Sequence, residues 1–598
     1  MYKQKMLNCM ITAIVCGLSF TVTADTERYS NSFKSGLPNG ISSGDTSSDS
    51  TVLWARSSSP GFVEFEVRKA GGRSVYKTEV EVLDPAVPAK ITVTDLQAGT
   101  RYRYRVTGVN GDKINGTFKT AADGNRRDKG LTFGVTGDWR GELAPYPAIK
   151  NADTSRLDFL VKLGDTIYAD FPSPAVPFQA ESIDNFRTKH QEVYSRHLGI
   201  NSFADLQRKV SIFATIDDHE VIDDFSGGAP AISDPRFPEQ TGLINQSQLF
   251  TNGLQAFTEY NAINSHFYPV TGDQRTDGKP DLYRSQQYGK VASLFMLDAR
   301  SFRDAGLPGV TSLTDAVQIG TFIASSFDAF QTQTRTMLGH SQVQRLKQDL
   351  LNAQDSGVTW KFIAVPEPIQ NLGVFAASDR FEGYASERSE ILRFIDENAI
   401  KNVVFIAADI HGTIINDLTY QRREDVLQAL ATTQNPLAAP QIRTSAFEIS
   451  TGSVAFSPAF GDAVNGLLAQ VPGGSQILQQ MFSALGVSNL AEFNSLPMDT
   501  KNASMEAMLN QQLLALNYTP IGLQDNPKID AKLTKGSNTA LYSFGWTRFD
   551  IKPRTHKLKI TTYGIEPYTA EQLSTNSAEI LARKPAIVSQ LIVTPNKD

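Results

Sequence analysis

Short apolar runs that lead into acids or histidine punctuate this chain. LTFGV (131–135), LDFLVKL (157–163) and NVVFIAA (402–408) each read as a buried strand. They lead into Asp138, into Asp165 with Tyr168, and into Asp409 with His411. A fourth stretch, FATIDDHE (213–220), adds Asp217, Asp218, His219 and Glu220. Helical candidates alternate with these strands: 182–197, 246–264, 340–352 and 386–398. Strands alternating with helices from residue 131 onward predict an α/β domain. From about 40 to 121 the pattern is different. VLWAR, FVEFEVRK, AKITVTDL and YRYRVTG alternate or run with β-formers between turn residues. That predicts a small β-sandwich of fibronectin type III style.

The pattern also sets boundaries. The β-rich part covers 25–122, a polar linker follows at 123–129, and the α/β domain takes 130–598. A stretch from about 422 to 535 reads as an insertion with glycine-rich turns and a helical run at 507–516, placed to cap a site or to embellish the fold. β-formers return in LYSFGWTRFDI and KLKITTYG.

In an open α/β sheet, strands deliver functional side chains from their C-terminal ends into one crevice. Carboxylates, a phenol and an imidazole delivered in that way predict a metal-dependent hydrolase. The chain has only seven histidines. An imidazole-rich zinc pair is hard to assemble from so few, whereas carboxylates and a phenolate suit hard cations such as ferric iron, calcium or magnesium.

Composition narrows the function classes. Hydrophobic residues make up 40% of the 598 and charged residues 20%, ordinary values for a globular protein. The first 24 residues read as a secretory leader: Lys3 and Lys5, an apolar stretch, then Val22-Thr23-Ala24 as the cleavage site. Its removal takes two lysines and no acid, so the net charge moves from −6 to −8. Neither value offers an electrostatic footprint for nucleic acid or an anionic membrane. Both cysteines, Cys9 and Cys16, lie in the leader, which leaves an exported product without disulfides or thiolate ligands. The leader has no Arg-Arg pair, and no later stretch is apolar and long enough to span a bilayer. The expected location is periplasmic or secreted.

Taken in order, these stretches resemble the metallophosphoesterase superfamily, and within it the PhoD-like alkaline phosphatase and phosphodiesterase branch. The resemblance rests on Gly164-Asp165-Thr166-Ile167-Tyr168, on Asp217-Asp218-His219-Glu220, on Asp409-Ile410-His411, and on LDARSFRD (297–304) and LGHSQ (338–342) between them. Gly44-Asp45, Trp54, Arg56, Tyr102, Tyr104 and Arg105 resemble that branch's β-sandwich prefix. The likeness runs from about residue 33 and omits the insertion.

The resemblance implies a four-layer α-β-β-α catalytic domain. It assigns Asp138, Asp165, Tyr168 and His411 to an Fe(III) site, and has Asp165 bridge to a Ca2+ site completed by Asp218 and Asp409. It implies hydrolysis of a phosphate ester, with water acidified by the cations as nucleophile. His219 would hydrogen-bond the substrate or protonate the leaving group, with Glu220 orienting it. The branch holds monoesterases and diesterases, including phospholipase D-like and nuclease-like enzymes. A reading from another class is a secreted binding protein on a degenerate hydrolase fold. A serine-hydrolase reading is weaker, because Gly339-His340-Ser341-Gln342-Val343 lacks the closing glycine of a nucleophile elbow.

Two positions depart from the pattern. Arg140 stands where many relatives have His, and Gly141 where some have Cys. Arg140 is expected in a structural salt bridge rather than on substrate phosphate. Arg187 and Arg303 are likewise expected outside the site, and Asp223 and Asp224 on a solvated acidic face. Stable nucleic-acid binding is not expected. Oligomeric state is not legible.

Overall fold

The computed structural model describes residues 36–597 apart from 70, 127, 128, 153–156, 240 and 332. The expected leader lies outside the described residues. Two large sheets pack face to face. The first has ten strands, and its centre is the parallel trio Leu131–Thr136, Phe159–Leu163 and Ser211–Thr215. The second has seven, with Ala292–Met296, Trp360–Ala364, Val403–Ala407 and Ile442–Ser450 parallel at its centre. Each central strand of the parallel trio is buried along its whole length or nearly so, which is why the sequence shows continuous apolar runs rather than alternation.

The core explains the layering. Phe133, Phe159 and Phe549 from the first sheet meet Phe362, Ile406 and Ile449 from the second. The outer face of the first sheet (Leu160, Ile212, Trp546) is covered by helices Ile183–Tyr194 and Ser202–Gln207. The outer face of the second (Phe295, Ile363, Phe405) is covered by His340–Asp355 and Ala385–Glu397. This is the expected four-layer α-β-β-α arrangement. All four helices expected between these strands form, each within a few residues of its expected span.

The N-terminal strands form the expected β-sandwich, with one addition. Ser74–Val82, Gly61–Lys69, Arg101–Thr107 and Lys113–Lys119 make one four-stranded sheet. The facing strands, Ile41–Gly44, Thr51–Ala55 and Ala89–Val93, continue the ten-stranded catalytic sheet, through parallel pairing of Gly44 with Ile212. Phe65, Val67 and Tyr102 from one side pack on Ile41 and Leu53 from the other. The sandwich therefore shares a sheet with the α/β part.

The span 422–535 is not wholly an insertion. Ile442–Ser450 lies between Val403–Ala407 and Thr413–Tyr420 in the second sheet, so its removal would split that sheet. The true excursion is helical: Phe460–Leu468, Gly474–Leu485, Leu490–Asn494 and Met498–Ala515. It packs on Ile410, Ile414 and Tyr542 beside the His411 turn. Among the described residues no helix is long and apolar enough to cross a membrane.

Candidate metal centre

Three strand ends are pressed together. A Cβ on Gly137 would meet the Leu163 carbonyl oxygen at 2.6 Å and Ala408 Cβ at 2.7 Å. The residues just beyond these ends turn sharply. Asp138, Asp165, Asp409 and His411 all take left-handed backbone, at φ of 62°, 47°, 61° and 55°. Such conformations cost about 1–3 kcal/mol each in a non-glycine residue and persist where the surroundings dictate them. Here the turns pin one another. Trp139 N donates to Asp165 O at 2.8 Å, Val454 N to Gly137 O at 3.0 Å, and Ala169 N to His219 O at 2.9 Å. Gly164 (φ 74°) precedes Asp165 because a side chain there would press on Asp217 Cβ at 2.8 Å.

The turns bring the ligand candidates together. Ligand atoms of Asp138, Asp165 and His411 lie within 4.8 Å of one another, as do those of Asp165, Asp218 and His219. Asp165 belongs to both groups. Tyr168 donates its hydroxyl to Asp165 Oδ2 at 2.7 Å and lies 3.1 Å from His411 Nε2. Among the described residues, no such group of three includes Asp409. Its charge still faces the same centre, and after burial it is the largest cause of the rise in the Asp138 pKa.

Electrostatics marks the centre as short of positive charge. Burial, then the neighbouring carboxylates, pushes Asp138 and Asp409 well above the ordinary carboxylate range. Burial also pushes Asp165 well above that range, against the pull of His219. For Asp218, burial acts upward, but Arg300 and His219 outweigh it and hold its pKa low. Burial and the charge on His219 push His411 down to about 3, which keeps its imidazole neutral and able to ligate. Both oxygens of Asp138, and Oδ1 of Asp165 and of Asp218, are buried and have no hydrogen-bond partner. Buried carboxylate oxygens are normally satisfied. Orphaned oxygens converging with a phenol and an imidazole fit a hard cation pair.

Several surrounding residues differ from expectation. His219 is oriented by Asp170, whose Oδ1 is 2.7 Å from Nδ1, and not by Glu220. Glu220 instead accepts from Thr166 N, Thr166 Oγ1 and Asp217 N, which ties the Asp165 turn to the Asp218 turn. Asp223 and Asp224 are half-buried at the rim of the centre rather than on a detached solvated face. Asp223 groups with Asp170 and His219, and Asp224 N donates to Asp218 Oδ2 at 2.7 Å. Sequence reasoning passed over Asp170, although it closes the GDTIYAD stretch. It also passed over Phe456, whose ring stacks on His411 at 3.7 Å between centroids.

Arg140 is in the structural role expected of it. It pairs with Glu142 and rests its guanidinium over Phe171 and Phe456. Arg187 forks onto Glu259 at 2.7 and 2.9 Å. Arg300 and Arg303 form a buried layer beneath the centre. Arg300 donates to Asp217 Oδ1 (2.7 Å) and to both oxygens of Asp379 (2.8 Å each), and lies 3.3 Å from Asp218 Oδ2. Arg303 holds Asp379 and Glu367 at 2.6 and 2.8 Å.

Gly141 has a packing reason. A Cβ there would meet Glu192 Cβ at 2.7 Å, on helix Ile183–Tyr194. Gly141→Cys is therefore expected to destabilise by about 1–3 kcal/mol through overpacking, and to add no thiolate to the centre. Chemical denaturation together with metal-to-thiolate absorption checks both, and a stable variant with a new thiolate ligand refutes the packing argument.

Known proteins carry related chains. The N-terminal domain profile of PhoD-like phosphatases matches residues 23–122, and the PhoD-like phosphatase profile matches 136–509. Alkaline phosphatase D of Bacillus subtilis (strain 168) is 26% identical over 414 residues, covering 63% of this chain. The match spans 65% of that relative's length. A solved structure of PhoD superposes with a TM-score of 0.64 at 18% identity, covering 95% of this chain and 93% of that one. One profile covers the β-sandwich, and the other runs from the end of the Asp138 strand into the last helix of the excursion; the chain belongs to the PhoD-like phosphatase family.

Proposed function

We propose that this protein is an exported, metal-dependent phosphoric ester hydrolase. In this reading Fe(III) is held by Asp138, Asp165, Tyr168 and His411, and Ca2+ by Asp165, Asp218 and Asp409. The observation that carries it is the set of buried, unpartnered carboxylate oxygens on three strand ends, beside a phenol and a neutral imidazole. Export is supported by the leader-like first 24 residues and by the lack of cysteine after Cys16.

Bound there, the cations supply Lewis acidity toward phosphoryl oxygens and lower the pKa of a water. The chain's own groups do the rest. Asp165 is shared by the two ligand groups, and its Oδ2 accepts from the Tyr168 hydroxyl, which sets the phenol beside the atoms that would hold iron; on ligating iron the phenol would give up this proton. Asp170 holds His219 through Nδ1. His219 Nε2 is 3.8 Å from Asp223 Oδ1, too long for a hydrogen bond, so this nitrogen is the one available to donate to the leaving oxygen. Phe171 and Phe456 cover Tyr168 and His411 and exclude water on that side. The same chemistry serves phosphate monoesters and diesters, and p-nitrophenyl phosphate and bis-p-nitrophenyl phosphate sample the two.

Elemental analysis of the purified protein, with its visible spectrum, tests the reading. Iron and calcium are expected, with a phenolate-to-iron absorption band that Tyr168→Phe removes while the fold persists. Zinc as the bound metal would overturn the iron–calcium assignment. Full turnover in a demonstrably metal-free sample would overturn the metal-dependent mechanism.

A further inference from the structure

We propose that an arginine-lined groove on the N-terminal β-domain is a binding site for a small, multiply phosphorylated molecule. The strand Arg101–Thr107 alternates strictly. Tyr102, Tyr104 and Val106 enter the core, and Arg101, Arg103 and Arg105 face out on the opposite side. On the neighbouring strand Arg68 lies directly opposite Arg103. The facing wall is the turn at Arg208 and Lys209, fixed because their carbonyls accept from Thr117 N and Thr117 Oγ1 at 2.8 Å each. The groove between them has a volume of about 660 Å³.

Six cationic side chains line this space; the one lining carboxylate, Glu66, pairs with Arg68 at 2.7 Å and lies opposite Arg105, and Asp205, outside the lining, is 3.8 Å from Arg208. Among the described residues no carboxylate lies within 4 Å of Arg101 or Arg103. Like charges directly opposite on a sheet are destabilising. A chain of net charge −6 nonetheless collects them in one concavity, where the walls focus the positive field.

The occupant follows from the chemistry. Guanidinium forks match phosphate oxygens two at a time, and several arginines in one small volume call for several phosphates close together. Single-stranded nucleic acid uses exposed rings for base stacking, and the tyrosines of this strand are buried beneath the sheet. A lipid surface is flat, and this site is concave. The groove is also separate from the metal centre. Lys209 precedes the strand Ser211–Thr215 and Asp218 follows it, so the two sites lie roughly 17 Å or more apart along the strand.

Calorimetric titration of the full-length protein with sodium tripolyphosphate, beside the Arg101→Gln/Arg103→Gln variant, tests this. Any binding or chelation at the metal centre contributes equally to both titrations, so the difference belongs to the groove. The wild type is expected to bind at the groove with an affinity that falls as salt rises. The variant should bind there at least tenfold more weakly. Its ligand-free melting temperature should equal or exceed that of the wild type, because the Arg68–Arg103 repulsion is gone. Equal titrations in the two proteins overturn the site. Arginine-dependent binding that is tighter to an oligothymidylate, or to phosphatidylglycerol vesicles, overturns the assigned ligand in favour of a nucleic acid or a membrane.

Discussion

Asp165→Asn is expected to cut turnover by well over about 100-fold, beyond the 10–100-fold typical of residues that only support a metal ligand, and to empty the centre of metal. The fold should survive. Asn is isosteric, and like Asp it tolerates the left-handed backbone that position 165 adopts. What it lacks is charge, at the one position shared by both ligand groups. The melting behaviour should separate this variant from a simple packing defect. In the wild type, burial, and after it repulsion among the neighbouring carboxylates, disfavours the ionised forms, as the raised Asp138, Asp165 and Asp409 pKa values express. A cation that binds only the folded state offsets that repulsion, so chelation should lower the wild-type melting temperature. In Asp165→Asn one charge is already gone and no cation is held, so chelation should change little. Metal content, kcat and melting with and without chelator are the three readouts. Wild-type turnover with full metal occupancy would refute the role given to Asp165.

Much of the centre was legible because its residues sit directly after apolar runs. Leu131–Thr136, Phe159–Leu163, Ser211–Thr215 and Val403–Ala407 are buried on both faces, so their sequences announce them and the acids that follow stand out. The remainder depends on pairing between distant segments, which no local pattern encodes. Asp170 reaches His219 across 49 positions, and Arg300 reaches Asp379 across 79. The strand Ile442–Ser450 was hidden because IRTSAFEIS mixes polar residues with apolar ones, and it sits among turn-rich, helical surroundings. Its polar members have internal partners: Glu448, for instance, accepts from Ile369 N and from Gln370. The sharing of a sheet between the β-sandwich and the catalytic domain was hidden for the same reason. The short strand Ile41–Gly44 carries nothing in its sequence to say which edge it will meet.

Arg300 carries the second large expectation. Its guanidinium is fully buried and serves Asp217, Asp218, Glu367 and Asp379 at once. Arg303 shares Glu367 and Asp379, so two cations balance four carboxylates directly beneath the metal centre. Replacing a buried ion pair as a unit can be nearly neutral, but removing one partner leaves charge buried without compensation and costs about 3–5 kcal/mol. Arg300→Ala falls in the second class, because every acceptor stays behind. Arg300→Lys keeps a charge but not the planar fork that spans Asp217 and Asp379 together, so it should lie between the variant and the wild type in stability. A second effect separates positioning from mere support. Arg300 is the main influence holding Asp218 ionised against burial. Without it Asp218 should drift and protonate more readily, and, if the proposed iron and calcium assignment holds, calcium occupancy should fall further than iron occupancy, since Asp138, Tyr168 and His411 do not touch the arginine layer. Chemical denaturation and metal analysis of both variants measure these effects. Arg300→Ala with unchanged stability and full calcium would show that the layer beneath the centre is passive packing.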